Sequence, residues 1–274
     1  MSFKTILMHV APGEGDHPRV RLAARMARAF GAELHGIGAE AFLPNSDRRL
    51  THLDGHKVIQ ERERLEAEIA RTEALFRAVA AEAGVACGWR SALDDPDDII
   101  LQQAGGADLI VAAKPRGRQD PRRFAETADL ILGAGGPVLV VPPGAEAVAP
   151  TRVLIGWKQT REAEHAIWDA LPFLHKAEAV ALVAIRPALE ADAANGELGD
   201  VAGRLQRHGL TVDRAVHAPS DLSTGDRLLE LAEGFGAGLI VVGGYGRSRL
   251  TQRILGGVTS DLLDRAVRPV LFSH

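Results

Sequence analysis

Ala237-Gly-Leu-Ile-Val-Val-Gly-Gly-Tyr-Gly-Arg-Ser-Arg-Leu-Thr-Gln-Arg-Ile-Leu-Gly-Gly-Val-Thr-Ser-Asp-Leu-Leu263 decides how the rest of the chain is read. Residues 239–242 form a short apolar run rich in β-branched side chains, the pattern of a strand buried on both faces. The run breaks at Gly243, Gly244 and Gly246. A second pair, Gly256 and Gly257, precedes Val258, Thr259, Ser260 and Asp261, residue types suited to a helix start. A glycine-rich loop between a strand and a helix N-terminus suits an anion. The backbone can approach closely, and the first helical amides carry the positive end of the dipole. The same loop can also be only a tight turn, and the residues alone leave both readings open.

Working outward, the chain alternates strands and helices twice. In the first half, strands are expected at 5–10, 33–37, 85–91, 108–112 and 137–141. Helices are expected at 19–30, 57–83 and 97–104. The long helix turns Val58, Leu65, Ile69, Phe76 and Val79 inward, and Gly31 ends the first helix. In the second half, strands are expected at 152–157, 179–185, 211–217, 239–242 and 269–272. Helices are expected at 161–171, 198–208 after a looser segment, and 224–235. Two echoes point to duplication: Ala-Asp-Leu-Ile-Val at 107–111 matches Ala-Gly-Leu-Ile-Val at 237–241, and Pro-Val-Leu-Val at 137–140 matches Pro-Val-Leu-Phe at 269–272. A Pro- and Ala-rich linker at 142–150 separates domains expected at 1–145 and 150–274. Such alternation implies α/β domains with parallel sheets and right-handed crossovers. Ligands in open sheets of this kind bind beyond the carboxyl ends of the strands at the switch point.

The spacing Gly243-x2-Gly246-x9-Gly256 resembles the phosphate loop of the universal stress protein family, and the resemblance extends over nearly the whole chain. It implies two tandem doubly wound domains, adenine nucleotide alpha hydrolase-like, with strand order 3-2-1-4-5, packed as an intrachain pseudo-dimer. It also implies ATP, with magnesium, as the ligand held by that loop. The site residues it points to are Gly243, Gly246, Gly256, Gly257, Val258, Thr259 and Lys158, with Ser260 as a second hydroxyl. Two of these depart from the family pattern. Gly257 stands where nucleotide binders carry Ser or Thr, and Lys158 stands where they end the first strand with Asp. A lysine reaches a phosphate but cannot accept a hydrogen bond from adenosine. In the first half Ala11 takes that place, and the glycine pattern after the fourth strand is gone. That half is therefore expected to bind no nucleotide.

Other chemistry is mostly excluded. The chain has 274 residues and a net charge of −4, so it lacks a global basic footprint for nucleic acid. A lone cysteine, Cys87, rules out an intrachain disulfide and reads as a small core residue. No signal peptide or membrane span is evident, and a cytoplasmic protein is expected. Walker, dinucleotide-fingerprint and nucleophile-elbow motifs are absent. His52, Asp54 and His56 have metal-like spacing weakened by Gly55, and no metal site is expected. Asp94, Asp95, Asp97 and Asp98 read as acids favoured at a helix start. Thr160 reads as a helix cap, and Trp157 and Trp168 as packing residues. Lys114, Arg116, Arg118, Arg122 and Arg123 form a basic loop, read as a solvated connection or an anion or partner contact. Arg247, Arg249 and Arg253 are placed to neutralise phosphates. The expectation is a regulatory stress-response protein without turnover of its own, binding an adenine nucleotide or another small anionic ligand. The alternative is a structural or protein-interaction module with an unknown protein partner. A homodimer is compatible with either.

Overall fold

The computed structural model describes residues 2–14, 17–42, 55–114, 123–145, 151–245 and 257–274. They divide into two compact units, Ser2–Gly133 and Ala134–His274.

In the N-terminal unit, strand β1 (Thr5–His9) leads to helix α1 (Pro18–Phe30), β2 (Glu33–Ala39), α2 (Gly55–Glu82), β3 (Cys87–Ala92), α3 (Pro96–Ala104), β4 (Leu109–Ala113) and α4 (Thr127–Gly133). The strands lie in the order β3-β2-β1-β4 and pair in parallel. Local chemistry sets the helix ends. At α1 the His17 ring accepts from the Arg19 amide, Pro18 opens the first turn, and Gly31 closes it at φ 65°. Asp95 caps α3 in the same way. The core packs Ile6, Met8, Leu34, Ile37, Phe76, Ile100 and Leu109, all essentially inaccessible. Trp89 of β3 lies against β2 so closely that a Cβ on Gly38 would stand 2.4 Å from its ring. No other residue fits there without displacing the indole.

The C-terminal unit contains β5 (Val138–Val141), β6 (Arg152–Gly156), α5 (Arg161–Leu174), β7 (Ala179–Ile185), a short 3-10 turn, α6 (Ala191–Arg207), β8 (Asp213–His217), α7 (Thr224–Phe235), β9 (Leu239–Gly243), α8 (Gly257–Arg265) and β10 (Val270–Ser273). The order is β8-β7-β6-β9-β10, all parallel, with β5 added antiparallel on β10. The expected order 3-2-1-4-5 is present here in full. Phe173, Leu182, Leu198, Ile240, Leu271 and Phe272 fill the core.

Several expectations change. The fifth strand of the first repeat groups by its contacts with the second unit, where it pairs antiparallel with Val270–Ser273. The division therefore falls ahead of β5 rather than in the linker. Helix α4 was not expected; it is only seven residues long and shows no cap signature. The looser segment before residue 198 is helical from Ala191, with Gly199 placed where a Cβ would meet Arg214 at 2.5 Å. Helix α5 runs through Pro172 to Leu174, since a proline this near the end forfeits one backbone bond and leaves the earlier turns intact. Cys87 is half-exposed at the first position of β3, with Arg77 donating to its sulfur, so it is not a core residue. Val58 sits only partly covered at the start of α2, and Thr72 and Ala80 join Leu65, Ile69, Phe76 and Val79 on the buried face.

Candidate functional site

In the C-terminal unit the carboxyl ends of β6 and β9, neighbours at the switch point, open into a cavity of about 270 Å³. Its floor is Gly156, Val242 and Gly243. One wall is Trp157, Lys158, Thr160, Glu162 and Ala163, from the end of β6 and the start of α5. Val183, Ile185 and Arg186 close a second side at the end of β7. Thr224 and Leu228 of α7, Tyr245, and Gly257, Val258 and Thr259 of α8 complete it. The first residues of three helices thus converge on one space. Each helix start presents amides without intrahelical partners and the positive end of its dipole.

Lys158, Gly243, Gly257, Val258 and Thr259 all line this cavity. Gly246 and Gly256, together with Arg247, Arg249 and Arg253, lie outside the described residues. Gly243 has a packing reason of its own. A Cβ there would stand 2.6 Å from the Ala163 amide nitrogen and 2.7 Å from the Glu162 carbonyl carbon, so its absence lets α5 press onto the end of β9. The Gly244 amide donates to the Ser273 carbonyl at 2.7 Å, and the Tyr245 amide donates to Thr259 Oγ1 at 3.5 Å. These two amides serve the fold, and the start of α8 faces the cavity. Thr259 is buried and anchors Tyr245, whose backbone is left-handed at φ 38°. Ser260 donates instead to Asp264 on its own helix and does not line the cavity. Lys158 is exposed at the rim.

Thr160 caps α5, accepting from the Ala163 amide at 3.3 Å. Trp157 is 5 % exposed. Its indole donates to Glu197 of α6 at 3.2 Å, and its amide donates to the Val183 carbonyl, so the ring is held as part of the wall. Trp168 packs against the His208 ring, away from the cavity. Glu162 was not singled out in the sequence. Its one available signal was its place two residues after the cap, where acids are common.

The corresponding strand ends of the N-terminal unit are laced with charge. His9, at the end of β1, is buried, and burial pushes its pKa down to about 4, so the ring is neutral and its Nε2–H donates to the Ala39 carbonyl at 3.2 Å. Arg19 donates to the His9 carbonyl at 2.9 Å and to Glu14 at 3.1 Å. Arg123, between β4 and α4, reaches back across the switch point. It donates to the Pro12 carbonyl at 3.0 Å and to Glu68 at 2.8 Å, and its Nε lies 3.5 Å from Glu40. This one member of the basic loop is therefore an internal clamp rather than a solvated residue. Arg116, Arg118 and Arg122 lie outside the described residues.

Among the described residues no three His, Cys, Asp or Glu side chains cluster as metal ligands. His56 is exposed on α2, and His52 and Asp54 are outside the described residues. Of the acids before α3, Asp95 caps its start by accepting from the Asp97 amide, while Asp97 accepts from the Glu126 amide just ahead of α4. No described helix is long and apolar enough to cross a membrane.

The cavity of this doubly wound α/β unit lies at its switch point, where open sheets of this kind take their ligands. Residues 152–274 match the family model described as the universal stress protein family. The match covers the second of the chain's two compact units. The fold is similar along the whole chain to a universal stress protein from Archaeoglobus fulgidus DSM 4304, at TM-score 0.72 and 14% identity, covering 98% of this chain and 97% of that one. It is also similar to a functionally unknown protein from Pseudomonas aeruginosa PAO1, at TM-score 0.62 and 16% identity, covering 99% and 92%. No curated protein sequence matches the chain.

Proposed function

We propose that the protein is a regulatory stress-response protein whose C-terminal unit binds an adenine nucleotide or another phosphorylated small molecule, without catalysis. The observation that carries this reading is the convergence of three helix starts and Lys158 on one cavity beside the switch point. Helix starts and a lysine favour negative charge, and Arg186 adds a second cation to the wall. Magnesium would arrive on the phosphates of ATP rather than on a ligand set of the protein. The N-terminal unit binds no nucleotide in this reading, because Arg123 already bridges its strand ends. Calorimetric titration of the full chain with ATP, with and without magnesium, tests the proposal. The expected result is saturation at one site per chain, lost in Lys158→Glu. A flat titration at millimolar ATP would overturn it.

The second reading is a protein-interaction module of the same fold. Gly244 and Tyr245 favour it, since their amides serve the fold and are not free to cradle phosphate. A flat titration would leave this reading standing.

A further inference from the structure

Among the described residues Glu162 is the one carboxylate lining the cavity, and none of them partners its side chain. It is 6 % exposed. Among the described residues nothing donates to its side chain, and it makes no ion pair. Its neighbour Glu164 is by contrast paired with Arg204 at 3.3 Å. The cap of α5 is supplied by Thr160, so Glu162 is not needed for that task. First-turn acids elsewhere are exposed, as at Asp98, Asp129 and Asp192, or paired, as Asp226 is with Arg265 at 2.7 Å. The helix dipole makes a negative charge tolerable at such a position but does not require it to be buried against a cavity. The Glu162 side chain is buried but borders the cavity, where a donor carried by a ligand can reach its carboxylate.

An ionised carboxylate only accepts hydrogen bonds, whereas Lys158 and the first amides of α7 and α8 only donate. A ligand complementary to both must carry O–H or N–H donors on one side and negative charge on another. We infer that Glu162 is the acceptor that selects hydroxyl- or amino-bearing phosphate esters, such as nucleotides, over bare phosphates and polyphosphates. This rests on the proposal that the cavity binds a phosphorylated molecule. Glu162 thus takes up hydrogen-bond donors that Lys158, at the end of β6, cannot accept.

The test compares ATP with inorganic tripolyphosphate by calorimetry on the full chain, for the wild type, Glu162→Gln and Lys158→Glu, with circular dichroism as the check on folding. The wild type is expected to bind ATP at least tenfold more tightly than tripolyphosphate, a comparison that needs no variant. Glu162→Gln is expected to weaken ATP at least tenfold and to leave tripolyphosphate equal or tighter, because a repulsion has been removed. A wild type that binds both compounds equally overturns the inference and leaves the anion site intact. So does a Glu162→Gln protein that binds ATP within twofold of wild type while Lys158→Glu has lost it. Loss of both compounds alike in Glu162→Gln would make Glu162 a support of the helix start and overturn the inference. A wild type that binds neither compound overturns the inference and the anion site together.

Discussion

The two repeats use corresponding positions in opposite ways. Where the N-terminal unit has His9, a buried ring at the end of its first strand, the C-terminal unit has Gly156, whose missing side chain leaves room for Leu228 and Val242. Where the first has Ala113 at the end of its fourth strand, the second has Gly243 in backbone contact with α5. One unit closes its strand ends with Arg19, Arg123 and their acids, and the other leaves a cavity. Among the described residues the same architecture thus carries a charge-bridged carboxyl edge in one unit and a cavity in the other, and a few side chains make the difference.

Breaking the open half should cost most. In Gly243→Ala the added Cβ meets backbone, which cannot rotate aside, so roughly 3 kcal/mol of stability is expected to be lost in urea unfolding. A loss below about 0.5 kcal/mol would show that α5 does not press on β9. Next is the sealed half. Arg123→Ala removes a cation shared by Glu40 and Glu68, Glu40 being 7 % exposed, and should cost roughly 2 kcal/mol. The double variant with Glu40→Gln should recover part of that, and full additivity in the cycle would dissolve the clamp. Thr259→Val removes the acceptor of the Tyr245 amide and is expected to cost about 1 kcal/mol, read in the same unfolding experiment.

The smallest effect concerns pH. Asp97 is pushed up to about 7, first by burial and then by Asp95, Asp129 and Glu126, against the Glu126 amide that lowers it. A carboxyl raised in the fold contributes stability that is fully present below its unfolded value near 4 and is lost as pH rises through about 7. Asp97→Asn should therefore melt higher than wild type at pH 8 and equal to it near pH 4. A gap that widens on acidification would contradict the assignment.

How much of this was legible in the chain depends on distance along it. Apolar runs such as Leu-Ile-Val at 109–111 and 239–241, and a stop such as Gly31, are local signals that carried the alternation, whereas the strand order of the second unit was implied by the family resemblance. The place of the cavity followed from topology, which brought Lys158 and Thr259 together across a hundred residues. What could not be read was non-local. Nothing near Arg123 announces Glu40, Glu68 and Pro12 as its partners, and nothing near Gly243 announces Ala163. Glu162 was hidden by being ordinary, since an acid two residues after a cap is unremarkable until its burial and lack of a partner are seen. Helix α4 was too short for periodicity to register.

The antiparallel pairing of β5 with β10 has a consequence for cutting the chain. A fragment trimmed at the apparent linker, residues 150–274, would expose the backbone edge of Val270–Ser273, a short and wholly apolar strand apart from its serine. Bare edges of that kind recruit strands from other molecules. A fragment beginning at Ala134 carries its own cover. The last strand of one repeat, Val138–Val141, thus covers the backbone edge of the last strand of the next.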